Sequence, residues 1–127
     1  PNVCTGYLTS EREDDATVSD EGESPWLAGF DPCRFSSSLP EAIKAAGGRF
    51  WGPAFVDTSK ERVLEAQTLG LFVHTWTLNE DEEFGEALNL GVNGVTSDYP
   101  DRARAAFLSA GLPVALPCHP DGQAVGA

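Results

Sequence analysis

The chain has 127 residues, 41% of them hydrophobic, with 20 acidic against 8 basic side chains and a formal charge of −12. That apolar share excludes a wholly disordered chain and suits one domain with a workable core. The acidic field repels nucleic acid and anionic membrane surfaces, so neither is expected as a partner, and it repels phosphate esters unless a metal ion or local basic groups offset it. No run approaches the roughly 18 apolar residues of a membrane span. The sequence opens on Pro1 rather than Met and shows no signal-peptide pattern, so it reads as processed or as a piece of a longer polypeptide. Cys4, Cys33 and Cys118 have no C-x-x-C spacing, which argues against zinc. One disulfide with a spare thiol and three plain thiols both stay open, and the compartment stays open with them.

Residues 2–9 (NVCTGYLT) predict a strand with Val3, Tyr7 and Leu8 apolar. Residues 10–24 hold Glu11, Glu13, Asp14, Asp15, Asp20, Glu21 and Glu23 and predict a solvated loop. Residues 25–35 (PWLAGFDPCRF) turn apolar and are expected to fold back onto the body. The whole acidic connection, residues 10–37, is far longer than an ordinary βα loop and reads as a lid, a binding loop or a plain insertion.

Ser38-Leu39-Pro40-Glu41 has the form of a capping box, with Ser38 accepting from the Glu41 amide, Glu41 reaching back and Pro40 in the first turn. That helix stops at Gly47-Gly48. Residues 49–56 (RFWGPAFV) predict a second strand, with Gly52-Pro53 marking a bulge or its end. Thr58-Ser59-Lys60-Glu61 predicts another capping box, on a helix that carries Val63, Leu64 and Ala66 and closes at Gly70. Strand 71–78 (LFVHTWTL) follows, and Asn79, with Glu82 three residues on, is expected to cap an acidic-fronted helix bearing Phe84, Ala87 and Leu88. After Gly91, residues 92–96 predict the fourth strand, and Asp98 is expected to cap the last helix. Residues 113–127 read as a tail.

The stop glycines Gly47, Gly70, Gly91 and Gly111 thus punctuate a βα repeat. Strands alternating with helices imply an α/β fold with a parallel sheet and right-handed crossovers. Four such units are half of a (β/α)8 barrel, which takes about 250 residues; a small open doubly wound sheet is the alternative.

In either architecture, ligands approach the C-terminal ends of the strands. Alternation puts Val73, Thr75 and Thr77 on one face and His74, Trp76 and Leu78 on the other. A Trp near the mouth walls a substrate pocket or packs in the core; Trp76 is the leading candidate for substrate contact, with Trp51 and Pro53 behind it. Asn79 and Asp98 read as caps rather than chemistry. Neither His74 nor His119 is paired with a Ser or Cys nucleophile, and no phosphate-cradling glycine loop or metal-ligand cluster appears.

The segments HTWTLN (74–79) and GVNGVTSDYPDRAR (91–104) resemble the closing strands of the glycerophosphodiester phosphodiesterases. Those barrels usually end on a V-x-x-W-T-[VL]-N strand and a G-V-[DN]-G-[IV]-x-[ST]-D-[YR]-P turn. The resemblance implies that residues 1–112 are the C-terminal half of such a barrel. It also implies hydrolysis of glycerophosphodiesters to glycerol 3-phosphate and an alcohol, with Mg2+ or Ca2+ held by Glu and Asp and a histidine pair as general acid and base. In the family those groups belong to N-terminal H-R-G, E-x-D and H-D strands, none of which is carried over to a position here. Only Trp76 carries over, as the family's pocket-lining Trp. The chain alone is therefore expected to be inactive and to need the missing half or a protein partner. The alternative is a non-catalytic half-barrel serving as a structural or binding subunit.

Overall fold

Four short strands lie side by side in chain order, all parallel, in the computed structural model, which describes residues 4–12, 16–18, 22–36 and 38–114. They are β1 (Gly6–Thr9), β2 (Phe50–Pro53), β3 (Phe72–Thr75) and β4 (Gly94–Val95), and the helices α1 (Leu39–Ala45), α2 (Lys60–Thr68), α3 (Asp81–Leu90) and α4 (Pro100–Ser109) follow one strand each. This is the expected α/β arrangement of four βα units. The start of the first strand at residues 2–3, and the tail beyond 114 with Cys118 and His119, lie outside the described residues.

The register sorts the side chains onto two faces. Tyr7, Trp51 and Val73 are paired across β1, β2 and β3. Trp51 and Val73 are fully buried among Ala42, Ile43, Val63, Ala66, Phe84 and Ala87, the apolar residues of the helices. The burial of the Trp51 indole leaves an N–H to satisfy, and Thr9 Oγ1 accepts it at 2.9 Å. The opposite, concave face is open, with Leu8 at 54% and Phe72 at 59% exposure. Bulky groups there lie over glycines of the neighbouring strand. A Cβ added to Gly52 would meet the Leu8 side chain at 2.5 Å, and one on Gly94 would meet His74 Nδ1 at 2.7 Å. Those positions take no side chain without displacing their neighbours.

Element boundaries differ from expectation where tertiary bonds compete with local ones. The second strand stops at Pro53, which has no N–H for a ladder, and Phe55–Asp57 form a 3-10 turn instead of continuing to 56. The second capping box shifts by one residue: Ser59, not Thr58, accepts from the Arg62 amide at 3.3 Å. The Thr58 hydroxyl is engaged with Ala54 O at 3.0 Å and Thr75 Oγ1 at 3.1 Å. Ser38 does accept from the Glu41 amide at 3.1 Å, but its own hydroxyl donates to Glu65 on α2. Helix α3 is capped from Glu80 rather than Asn79, with Glu83 Oε2 accepting from the Glu80 and Asn79 amides at 3.0 and 2.7 Å. Helix α4 begins after Tyr99 without a side-chain cap, so Asp98 does not cap it.

Alternation along the third strand also ends early. Val73 and Thr75 are buried as expected, but Thr77 is exposed and Leu78 is fully buried. Named pairing stops at Thr75, the Trp76–Thr77 peptide is cis, and the Leu78 amide turns to Thr96 O at 2.9 Å. The described residues of the acidic connection are not all solvated. Val18 and Leu27 are buried in the core, and two 3-10 turns, Pro25–Leu27 and Pro32–Phe35, carry the chain back to α1.

Phe84 is the largest helix side chain in the fully buried core. Phe84→Ala removes its burial and leaves a cavity, so the urea midpoint should fall by the equivalent of about 3–5 kcal/mol with the m-value unchanged.

Candidate functional site

The C-terminal ends of the strands gather the polar and aromatic groups that the strands themselves lack. Trp76 follows β3 directly and lies on the concave side, half-buried. Three hydrogen bonds fasten it to β2 and the turn that follows: its amide donates to Pro53 O at 3.2 Å, its carbonyl accepts from the Phe55 amide at 2.7 Å, and indole Nε1 donates to Gly52 O at 2.7 Å. The indole plane is therefore set by the backbone of the neighbouring strand rather than by its own rotamer preference. Of the three positions singled out from the sequence, the structure separates Trp76 from the other two. Trp51 is fully buried against the helices, and Pro53 is also fully buried, with its carbonyl bonded to Thr75 Oγ1 at 3.1 Å.

Asn79 and Asp98 meet each other. Asn79 Nδ2 donates to Asp98 Oδ2 at 2.8 Å, and Asn79 Oδ1 accepts from the Asp98 amide at 3.0 Å and from Ser97 Oγ at 3.3 Å. Arg102 adds to this tie, donating to Asn79 O at 2.9 Å and to Asp81 Oδ1 at 2.8 Å, while its guanidinium stacks 5.4 Å from the centre of the Tyr99 ring. The Asp81 hydrogen bond holds Arg102 above its ordinary range. Local sequence rules assign both Asn79 and Asp98 to helix caps; only the proximity of the β3 and β4 exits shows that they lock two loops together. At the same end of the strands but on the β1–β2 side, the Glu11 amide donates to Asp57 Oδ2 at 2.9 Å, and Arg62 bridges Glu11 Oε1 at 2.5 Å.

His74, which the sequence places on the Trp76 face and pairs with no nucleophile, lies on that face in the structure. It sits on the concave face one layer below Trp76, sharing a 2.9 Å hydrogen bond between Nε2 and Thr96 Oγ1. Burial lowers its pKa from 6.5, so the imidazole is held neutral. Cys4 and Cys33 are both exposed. Among the described residues, no three of His, Cys, Asp and Glu come together in a way that could hold a metal ion. The described residues therefore do not fit the divalent ion that the resemblance implies. No described helix is long and apolar enough to cross a membrane.

This geometry, with Trp76 and a polar tie at the C-terminal ends of a parallel βα sheet, is joined by what the sequence matches. The model of the glycerophosphoryl diester phosphodiesterase family matches residues 13–102. The chain belongs to that family. A solved structure assigned as a glycerophosphoryl diester phosphodiesterase from Silicibacter pomeroyi DSS-3 superposes with a TM-score of 0.70 at 36% identity, over 91% of this chain and 34% of that one. A second, from Agrobacterium tumefaciens, gives a TM-score of 0.62 at 19% identity, over 87% of this chain and 38% of that one. Human lysophospholipase D GDPD1 is 46% identical over 35 residues, which is 28% of this chain and 11% of that protein. The chain thus spans about a third of the length of these solved phosphodiesterases and about a tenth of the human one. Four parallel βα units of this family are half of a TIM barrel.

Two outcomes test the site's architecture. Asn79→Ala removes the loop tie, and each lost bond is worth about 0.5–1.5 kcal/mol, so a loss of roughly 1–2 kcal/mol is expected by denaturant titration. For His74 the folded pKa lies below the unfolded one, so its neutral form contributes stability that is fully present above pH 6.5 and is lost as pH falls toward the folded value. The stability of the wild type should therefore decline more steeply than that of His74→Gln as pH drops below about 6.5.

Proposed function

We propose that this chain is the substrate-walling part of a glycerophosphodiester phosphodiesterase that uses Mg2+ or Ca2+ to hydrolyse glycerophosphodiesters to glycerol 3-phosphate and an alcohol. Family membership over residues 13–102 supports phosphodiester chemistry, and the fastened indole of Trp76 is the observation that carries the assignment of a role to this chain. At the C-terminal mouth, a rigid aromatic face contributes contact area and excludes water at little entropic cost, which is the work of a pocket wall. The metal ligands and the acid–base pair belong to the complementary part of the barrel, and no step of the reaction is placed on the residues described here.

The acidic balance of the chain fits this division. A charge of −12 would repel a phosphodiester, so a cation supplied by the complementary half is needed beside it. The exposed apolar concave face, with Leu8 and Phe72, favours a second reading in which the same half-barrel acts as a non-catalytic structural subunit.

Co-expression of this chain with the portion of the Silicibacter protein that it leaves uncovered separates the two readings. The isolated chain should show no turnover. The assembled particle should release glycerol 3-phosphate from a glycerophosphodiester in a chelator-sensitive way, and Trp76→Ala should lower kcat/KM at least about tenfold, the loss of about 1.4 kcal/mol of transition-state binding. An assembled particle that binds metal yet hydrolyses nothing would assign the chain to the structural role.

A further inference from the structure

The long connection between β1 and α1 has no part in the function proposed above, yet its described residues are closely built. Thr17 Oγ1 accepts from the Ser10 amide at 2.9 Å, and the Thr17 amide donates to Ser10 O at 2.9 Å, which seats the connection just beyond the end of β1. Ser24 Oγ donates to Thr17 O at 2.6 Å. A loop then closes on itself, with the Ser24 amide donating to Phe30 O at 3.1 Å and the Gly29 amide to Ser24 O at 2.9 Å. Inside it, the Pro25–Leu27 turn puts neighbours in opposite surroundings: Leu27 is fully buried in the core, and Trp26 is 60% exposed. The turn ends on Ala28 at φ 54°, a left-handed conformation that L residues rarely adopt. A lone exposed indole needs no explanation; this one is held in solvent by a bonded loop whose next residue is anchored in the core.

The same loop is tied to the rest of the mouth. The Glu11 amide donates to Asp57 Oδ2, and Asp57 ends the Phe55–Asp57 turn. That turn gives its first amide to Trp76 O and leaves its middle residue, Val56, 69% exposed. Trp26, Val56 and Trp76 therefore stand on the consecutive loops that follow β1, β2 and β3, all on the C-terminal side of the sheet. Glu11, Asp57 and Arg62 satisfy one another there, so apolar area is what Trp26 and Val56 offer a ligand.

We propose that Trp26 and Val56 form a second subsite of the mouth, next to the Trp76 wall, which takes the alcohol group of the diester and selects alcohols with an alkyl or aryl body. The inference rests on the phosphodiesterase reading given above. Of the two parts of a glycerophosphodiester, the glycerol phosphate is charged and hydroxylated and calls for a cation and hydrogen-bond donors. An indole and an isopropyl group suit the other part, and only where that part is apolar. Loops after the strands are where a βα barrel sets its specificity, and a loop already fixed loses little freedom when a ligand arrives.

The test uses the chain co-expressed with the uncovered portion of the Silicibacter protein, and two monomeric probes, glycerophosphohexanol and glycerophosphoglycerol. The wild type should favour the hexyl diester in kcat/KM, and Trp26→Ala should reduce that preference about tenfold, chiefly through KM, the scale on which hydrophobic pockets discriminate. Val56→Ser should reduce it by less, and Trp26→Phe should keep most of it. Because both side chains are exposed, the denaturation midpoints of these variants should match the wild type. Loss of both substrates in equal proportion in Trp26→Ala, or a wild type without hexyl preference, overturns the subsite and leaves the phosphodiesterase reading standing. Should the wild-type particle hydrolyse neither diester, that reading fails, and binding to the isolated chain decides the subsite by itself. The Trp26 indole N–H resonance should shift with the hexyl diester and not with glycerophosphoglycerol; an unmoved resonance overturns the subsite as well.

Discussion

Trp76 is held to β2 and the turn after it by its amide, its carbonyl and its indole N–H, and much of the site depends on that three-point attachment. Pro53 and Gly52 offer their carbonyls to it at the end of β2. The Phe55 amide is drawn in by the Trp76 carbonyl, which starts the Phe55–Asp57 turn, and the Thr58 hydroxyl then closes onto Ala54 and Thr75. The start of α2 at Ser59 follows from Thr58 being used in that way. An aromatic ring fixed by neighbouring backbone has little rotamer freedom left to lose when a ligand arrives, which favours binding through preorganisation.

The loops beyond the strands are joined in pairs. Glu11, Asp57 and Arg62 connect the exits of β1 and β2, while Asn79, Asp98, Ser97 and Arg102 connect those of β3 and β4. Few of these bonds is worth much alone at an exposed surface. Together they give the mouth a defined shape, because each tie links two loops that a strand pair already holds at fixed spacing. The acidic excess is thereby partly absorbed: Glu11 and Asp81 each meet an arginine, and Glu83 caps α3.

The two faces of the sheet carry different obligations. The helix-facing side is closed by Trp51, Val73, Phe84 and their neighbours and accounts for the stability of the chain as it stands. The concave side is built for a barrel interior, with bulky groups seated over Gly52 and Gly94, yet it leaves Leu8 and Phe72 in solvent. Such a surface makes physical sense when the rest of the family's barrel covers it.

Much of the fold was legible in the residues. The glycine-punctuated βα rhythm, the helix-facing parity of Val73 and Thr75, the Ser38 cap and the W-T-x-N and S-D-Y-P segments each act over a few residues, and local propensity and periodicity report on that range. What local rules mis-assigned were groups with a second possible partner far along the chain. Asn79 and Thr58 are competent caps, but Asp98 and Thr75 lie closer to hand once the strands are side by side, and Glu80 and Ser59 take over the capping. Leu78 likewise leaves its expected face because its amide bonds to Thr96, and Trp51 and Trp76, both expected in strands, are told apart only by the structure. By itself, then, the sequence determined the βα repeat, the acidic character and the family of this protein, while the tertiary structure decided which tryptophan faces the mouth and which loops are tied, since each of those depends on contacts between segments that only parallel pairing brings together.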